Sequence, residues 1–144
     1  MARQTLVLDA SVGVKWFSTK DEGGLNQALA IRDSHTADEI KVMVPDLFFY
    51  EVINALVHKK SFSTVVIQSA GSSLFALGMS IVRNDARLLA ETIRIARQAD
   101  ITVYDALYAA IAIENKCPLV TANPRHQKPG LGCRVISIEE WRPE

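Results

Sequence analysis

The sequence predicts an α/β fold of three layers, in which a central, mostly parallel sheet is flanked by helices. Two observations support this prediction. Short apolar runs, such as residues 5–8 (TLVL) and 119–121 (LVT), are typical of strands that are buried on both faces. Longer segments with apolar residues at helical spacing separate these runs, and strands that alternate with helices favour a parallel sheet.

Length and composition limit the classes of function. The chain has 144 residues, which predicts a single domain over residues 1–144. Lys and Arg total 16, and so do Asp and Glu, so no net charge draws the protein to nucleic acid or membrane. The N-terminus does not make a signal peptide and no apolar run approaches a membrane span, which predicts a cytoplasmic protein with Cys117 and Cys133 as free thiols.

The first strand, residues 5–8, ends at Asp9, and a short helix is expected to follow. A carboxylate directly after an apolar run is costly to desolvate unless a positive charge compensates it. In open α/β sheets, ligands gather outside the carboxyl ends of the strands. Asp9 is therefore either part of a functional site or, like Ser11, a cap of the next helix.

A second helix is expected over residues 25–35 and a second strand over residues 42–44. His35 lies in a polar stretch and is expected to be solvated. Asp46 is expected to cap a third helix, LFFYEVINALVHKK, which is apolar almost all round and should therefore be largely buried.

Glu51 and Asn54 stand out within this third helix, where they are neighbours on the surface. A glutamate among apolar residues rarely lacks a partner. Glu51 therefore faces a solvent gap, a lysine such as Lys15, or a shared site.

Further along the chain, Ser63 is expected to cap a helix over residues 65–77, and residues 79–82 are expected to form a short strand or an extended connector. Asp85 should cap an amphipathic helix whose arginines form a solvated face rather than a nucleic-acid surface. The side chains expected to point inward on this helix are Leu88, Leu89, Thr92, Ile93, Ile95 and Ala96.

Asp105 lies in the first turn of a long apolar helix that Thr102 should cap. The helix dipole favours a carboxylate there, so the position is also common for acids without a function. The alanine-rich turns that follow would let another backbone approach closely. The predicted sheet is completed by a strand over residues 119–121 and a last strand over residues 134–138, with a turn at Asn123 between them.

Four polar residues thus fall where only the fold could assemble them: Asp9, Glu51, Asp105 and Asn123. Carboxylates brought together repel one another, and this repulsion raises their pKa values unless a cation lies between them. A hard divalent ion such as Mg²⁺ suits oxygen ligands and keeps waters that can act as nucleophiles. The sequence offers no cysteine or histidine pair for zinc.

Four stretches of the chain together resemble PIN-domain proteins, above all the VapC-type toxins of toxin–antitoxin pairs. In chain order they are LVLDASVGVKWF, VPDLFFYEVINAL, TVYDALYAAIAIE and PLVTAN. The resemblance runs from residue 5 to about residue 138. It implies a PIN-like three-layer α/β/α fold and a Mg²⁺- or Mn²⁺-dependent endoribonuclease that leaves 5′-phosphate and 3′-hydroxyl ends.

The resemblance assigns roles to individual residues. Asp9, Glu51 and Asp105 match the acidic positions that hold the metal. Ser11 and Thr121 match positions where hydroxyls often bond to those acids.

Asn54 matches a frequent helix asparagine, whereas Asn123 departs from the family, since many members carry Asp there. The site loses one formal charge at Asn123, which puts a second metal in doubt more than the first. Candidates for holding the RNA backbone are Lys15, Lys59, Arg125, His126 and Lys128.

The resemblance also implies a homodimer and an antitoxin protein that lies across the groove beside the acids. Two consecutive helices carry more apolar surface than a small core easily hides, which favours an interface there. The residues concerned are Phe48, Phe49, Tyr50, Val65, Val66 and Phe75.

Two other readings stay open at this point. Asn123 is compatible with a PIN-like domain that has weak or no nuclease activity and binds RNA or a partner. A phosphotransfer enzyme with Asp9 as nucleophile would need a second Asp two residues on, where Ser11 stands.

Overall fold

A five-stranded sheet, all parallel, lies at the centre of the computed structural model, which describes residues 3–18, 23–124 and 130–144. Its strands are β1 (Gln4–Leu8), β2 (Ile40–Pro45), β3 (Ser80–Val82), β4 (Leu119–Thr121) and β5 (Val135–Ser137). The helices of the described residues are α1 (Ala10–Val14), α2 (Leu25–Thr36), α3 (Asp46–Val57), α4 (Thr64–Ala76), α5 (Ala86–Ala99) and α6 (Val103–Glu114). The predicted three-layer α/β/α fold is confirmed.

The strand order β3-β2-β1-β4-β5 makes β1 the point where the direction of winding reverses. The chain adds β2 and β3 on one side of β1, and then β4 and β5 on the other. A crevice for ligands is expected at such a switch point, outside the carboxyl ends of the two central strands. Because Leu8 pairs with Val120, the next residues, Asp9 and Thr121, emerge side by side at this crevice.

Local sequence explains where the helices begin. The side-chain oxygens of Ser63, Asp85 and Thr102 accept hydrogen bonds from the backbone N–H of the third residue of α4, α5 and α6, at 3.2, 2.7 and 3.1 Å. The three predicted caps are confirmed. The prediction for Asp46 is wrong, because Pro45 occupies the cap position of α3 and Asp46 is the first residue of the helix.

His35 is not simply solvated, contrary to the expectation from its polar neighbours. Its Nδ1 accepts a hydrogen bond from the Val42 backbone N–H at 3.3 Å, and its Nε2 lies 2.9 Å from the Leu77 carbonyl oxygen. Since Nδ1 is an acceptor, Nε2 carries the proton and donates to Leu77. The imidazole therefore links α2 to β2 and to the end of α4.

The alanine-rich turns of α6 allow close packing, as predicted. Ala106, Ala109, Ala110 and Ala112 are completely buried, and α6 packs against α5 and β1. A second close approach joins α1 to α3, where a Cβ on Gly13 would lie 2.6 Å from Phe48 Cζ. The missing side chain of Gly13 thus lets the helix that follows Asp9 approach the helix that carries Glu51.

The apolar surface differs from the prediction in three places. On α3, Tyr50 is 76% exposed, so the helix is not buried all round. On α5, Leu89 and Ile93 are 46% and 49% exposed rather than inward. Phe48 and Phe49 are buried, which removes them from the predicted interface.

Cys117 and Cys133 are free thiols, as predicted. Burial raises the pKa of both, and together with the charge of Cys117 it raises the pKa of Cys133 to about 11. In the part of the chain that the structure describes, no helix combines the length and the apolar character that crossing a membrane requires.

Candidate active site

Asp9 lies at the carboxyl end of β1, where it also caps α1, and only 7% of its surface is exposed. Its Oδ2 accepts hydrogen bonds from the hydroxyls of Ser11 and, at 3.1 Å, Thr121. Each hydroxyl oxygen in turn accepts a backbone N–H, Ser11 from Ala122 at 3.0 Å and Thr121 from Asn123 at 2.9 Å. These backbone donors leave each hydroxyl proton for Asp9, so the carboxylate is fixed in orientation.

The environment of Asp9 is nevertheless unfavourable for a negative charge. Burial raises the pKa of Asp9 above its ordinary value, and the hydrogen bonds from Ser11 and Thr121 act in the opposite direction. The charge of Asp105 raises the pKa of Asp9 further. A cation beside Asp9 would offset both unfavourable contributions.

Glu51 approaches the same region from α3. Its Oε1 accepts a hydrogen bond of 2.6 Å from the hydroxyl of Tyr108 on α6. Burial raises the pKa of Glu51, the hydrogen bond from Tyr108 lowers it, and the charges of Asp9 and Asp105 raise it. The three carboxylates therefore lie within reach of one another's charge.

Asp105 lies in the first turn of α6 and is half-buried. Its backbone N–H donates to Thr102 Oγ1 at 3.1 Å. The start of α6 is thus fixed by its cap, and this fixes where the Asp105 side chain begins.

Tyr108 is the site residue that sequence reasoning missed. It looks like an ordinary core aromatic on an apolar helix. One signal was present, because Tyr108 follows Asp105 by three residues and helical residues at that spacing share a face.

The remaining candidates lie in different parts of the structure. Asn123 lines a cleft of about 550 Å³ together with Ser11 and Lys15, which is itself buried. Asn54 is exposed on α3, and Lys59 Nζ donates to Ser18 Oγ at 2.8 Å. Arg125, His126 and Lys128 lie outside the described residues.

The donors of this site fit a hard divalent cation in their chemistry. Asp9, Glu51 and Asp105 offer carboxylate oxygens, which Mg²⁺ and Mn²⁺ prefer, and their negative charges oppose one another. Within residues 3–18, 23–124 and 130–144, however, no three Asp, Glu, His or Cys side chains form a group that could hold a metal ion. The three carboxylates therefore fit a divalent cation in the type of their donor atoms and in their charge.

The raised pKa values predict how stability depends on pH. In EDTA, the folded protein should bind more protons than the unfolded chain, because the pKa values of Asp9 and Glu51 lie above their ordinary 3.8 and 4.5. Their contribution to the free energy of unfolding should fall as pH rises from these ordinary values through the raised ones.

Urea denaturation of the wild type and of Asp9→Asn, measured in EDTA between about pH 4 and 8, checks this expectation. The difference between the two reports the titration of Asp9 and its effect on Glu51, whose pKa the charge of Asp9 raises. The variant should gain stability relative to the wild type as pH rises. A difference that is constant over this range would contradict the prediction.

Comparisons with known proteins agree with this architecture. A family model described as PIN domain matches residues 6–130. The comparison with curated proteins gave no match.

Several solved structures are similar over nearly their whole length. DNA-bound VapBC from Salmonella typhimurium has a TM-score of 0.70 and 17% identity, with 94% of this chain and 98% of that chain covered. A toxin–antitoxin complex from Klebsiella pneumoniae has a TM-score of 0.66 and 17% identity, covering 94% and 99%. PAE2754 from Pyrobaculum aerophilum has a TM-score of 0.63 and 27% identity, covering 96% and 92%. At 17% identity, the first two similarities concern the fold alone.

Proposed function

Since the chain belongs to the PIN domain family, we propose that it is a nuclease, and more narrowly a Mg²⁺- or Mn²⁺-dependent endoribonuclease that hydrolyses RNA phosphodiester bonds. The observation that supports this most is the arrangement of Asp9, Glu51 and Asp105. The pKa values of Asp9 and Glu51 are raised by burial and by the charges of their acidic neighbours at the switch point of the sheet. Such perturbed carboxylates in a crevice are typical of functional sites.

Each residue of the site has a separable task. Asp9, Glu51 and Asp105 would hold the cation, with Asp9 oriented by Ser11 and Thr121. A bound cation would supply an acidified water and would offset charge on the phosphate. The carboxylate oxygens orient water for in-line attack. Basic side chains would bind the neighbouring phosphates, and the candidates are Lys15, beside Ser11, Lys59 and Arg125.

The proposal is tested with RNA and DNA oligonucleotides of the same sequence, incubated with the protein and Mg²⁺ or Mn²⁺. We expect internal cleavage of the RNA and products that carry 5′-phosphate and 3′-hydroxyl ends. Equal cleavage of the DNA would contradict the proposal that RNA is the substrate, and 2′,3′-cyclic phosphate ends would contradict hydrolysis by water.

A second candidate function is a PIN-like module that binds RNA or a partner with weak or no nuclease activity. Asn123, where many family members carry Asp, favours it, as does the lack of a ready metal cluster in the described residues. Calorimetric titration with Mn²⁺ separates the two functions, because the nuclease should bind the ion and the module should not.

Asn123→Asp should maintain or raise the cleavage rate, because it adds the charge that this position has in many family members. Single-turnover kinetics at saturating Mg²⁺ provide the measurement. Asn123→Ala is the matched control, since it removes the amide without adding charge. A tenfold slower Asn123→Asp variant would contradict a supporting role for charge at this position.

We extend the proposal to a cognate antitoxin protein and a second copy of this chain as partners, in a cytoplasmic toxin–antitoxin pair. The side chains of Tyr50, Val65, Val66 and Phe75 are exposed on α3 and α4, and Phe75 stacks on Phe49 with ring centroids 4.4 Å apart. A second exposed apolar patch lies on α5 and α6, at Leu89, Ile93, Val103 and Tyr104. Two patches provide room for two partners.

Phe75→Glu should weaken binding of the antitoxin encoded by the neighbouring gene by about tenfold or more, because it places a charge among the exposed apolar side chains of α3 and α4. Phe75 is 64% exposed, so the fold should survive, whereas Phe49→Glu would place a charge in the core. Co-purification and light scattering measure the complex and the dimer. Ile93→Glu is the matched control on the second patch, and a Phe75→Glu complex as tight as the wild type would exclude this surface.

A further inference from the structure

The hydroxyl of Tyr108 connects two of the elements that carry the acids. Tyr108 lies on α6, three residues after Asp105, and its side chain is fully buried. Its hydroxyl donates to Glu51 Oε1 on α3 at 2.6 Å.

Packing alone does not explain an oxygen at this position, because phenylalanine would fill nearly the same volume in the core. A buried hydroxyl is costly unless it is hydrogen-bonded. A tyrosine hydroxyl has a single proton to donate, and the acceptor within hydrogen-bond distance of Tyr108 is Glu51 Oε1, at 2.6 Å. The proton is therefore directed at Glu51.

This hydrogen bond restrains a side chain that would otherwise rotate. Glu51 has three side-chain torsions and is only partly buried, so packing alone leaves its carboxylate several orientations. The bond fixes Oε1 and leaves Oε2 as the oxygen available to a cation or a water. Groups that orient a metal ligand in this way typically change metal affinity by about 10- to 100-fold when removed.

We propose that Tyr108 is a positioning residue for Glu51, whose hydroxyl holds that carboxylate in the orientation from which it joins Asp9 and Asp105 in binding the divalent cation. The inference rests on the proposed function, since it assumes that these acids bind a cation. It assigns no contact between Tyr108 and the RNA or the cation.

The test is the dissociation constant for Mn²⁺, measured by electron paramagnetic resonance of the free ion. Tyr108→Phe should weaken binding about tenfold. In the Glu51→Gln background, the same substitution should cause less than a twofold further loss, because the hydroxyl acts through the carboxylate. Thr36→Val is the matched control, since it removes an exposed hydroxyl on α2 that donates to the Arg32 carbonyl oxygen, and it should bind as the wild type does.

Unchanged binding in Tyr108→Phe would overturn the inference, and so would equal losses in both backgrounds. If Tyr108→Phe fails to fold, the wild type still provides a test by proton NMR. The Tyr108 hydroxyl resonance, identified by its proximity to the Tyr108 ring protons, should shift when Mg²⁺ is added, and an unshifted resonance at saturation would overturn the inference. If the wild type binds Mn²⁺ and cleaves RNA, and Tyr108→Phe binds Mn²⁺ equally tightly, this inference alone is overturned. If the wild type binds no ion, both this inference and the proposed function are overturned.

Discussion

Replacing Asp9 with asparagine is expected to slow RNA cleavage by about a hundredfold or more, as removal of a central electrostatic group does in other active sites. Asparagine keeps the size of the side chain and an oxygen that can accept from Ser11 and Thr121. It removes the negative charge at the carboxyl end of β1, where the cation would bind. The loss should therefore be one of chemistry and metal binding rather than of fold.

Single-turnover cleavage of a labelled RNA measures this effect, and circular dichroism checks that the variant is folded. Asp33→Asn is the matched control, since Asp33 is an exposed acid on α2 that pairs with Arg32. It should cleave at the wild-type rate. A folded Asp9→Asn variant with undiminished activity would show that Asp9 is only a helix cap.

Gly13→Ala is expected to lower the free energy of unfolding by about 1–3 kcal/mol and to slow cleavage. The added Cβ would lie 2.6 Å from Phe48 Cζ and 3.0 Å from Val52 Cγ2, so the buried Phe48 ring or the two helices must shift. Because α1 begins directly after Asp9 and α3 carries Glu51, that movement should also disturb the spacing of the two carboxylates.

Gly71→Ala is the matched control for this substitution. Gly71 is also helical, but a Cβ there would have only Ile53 Cδ1 nearby, at an ordinary 3.8 Å. Alanine should therefore stabilise the protein by about 0.4–1 kcal/mol by restricting the unfolded chain. Urea denaturation measures both variants, and a Gly13→Ala protein as stable as the wild type would contradict the close approach of α1 and α3.

Local features were the easiest to predict from the sequence. The caps at Ser63, Asp85 and Thr102 depend on groups three residues away, and the apolar run before Asp9 is enough to indicate a buried strand. The parallel sheet follows from the alternation of strands and helices. Short-range chemistry determines these features, so the sequence shows them directly.

Contacts between distant residues were harder to predict. Thr121 reaches Asp9 across 112 positions because of the register between β1 and β4, and only the family resemblance indicated the pair. The bond from Tyr108 to Glu51 spans 57 positions and was missed. His35 was misassigned because its partners are backbone groups, which periodicity does not reveal.

Exposure was also predicted imperfectly on the amphipathic helices. Leu89 and Ile93 belong to the apolar stripe of α5, yet the neighbouring elements cover only part of its width. Hydrophobic periodicity gives the direction of such a stripe but not how much of it the fold covers.

The central claim is that Asp9, Glu51 and Asp105 cleave RNA through a divalent cation. The most direct measurement is the rate of RNA cleavage by EDTA-treated wild type and Asp105→Asn, before and after excess Mg²⁺ is added. We expect no cleavage by either protein in EDTA, full recovery of the wild type with Mg²⁺, and no recovery of Asp105→Asn. Cleavage by the wild type that continues unchanged in EDTA would contradict the claim.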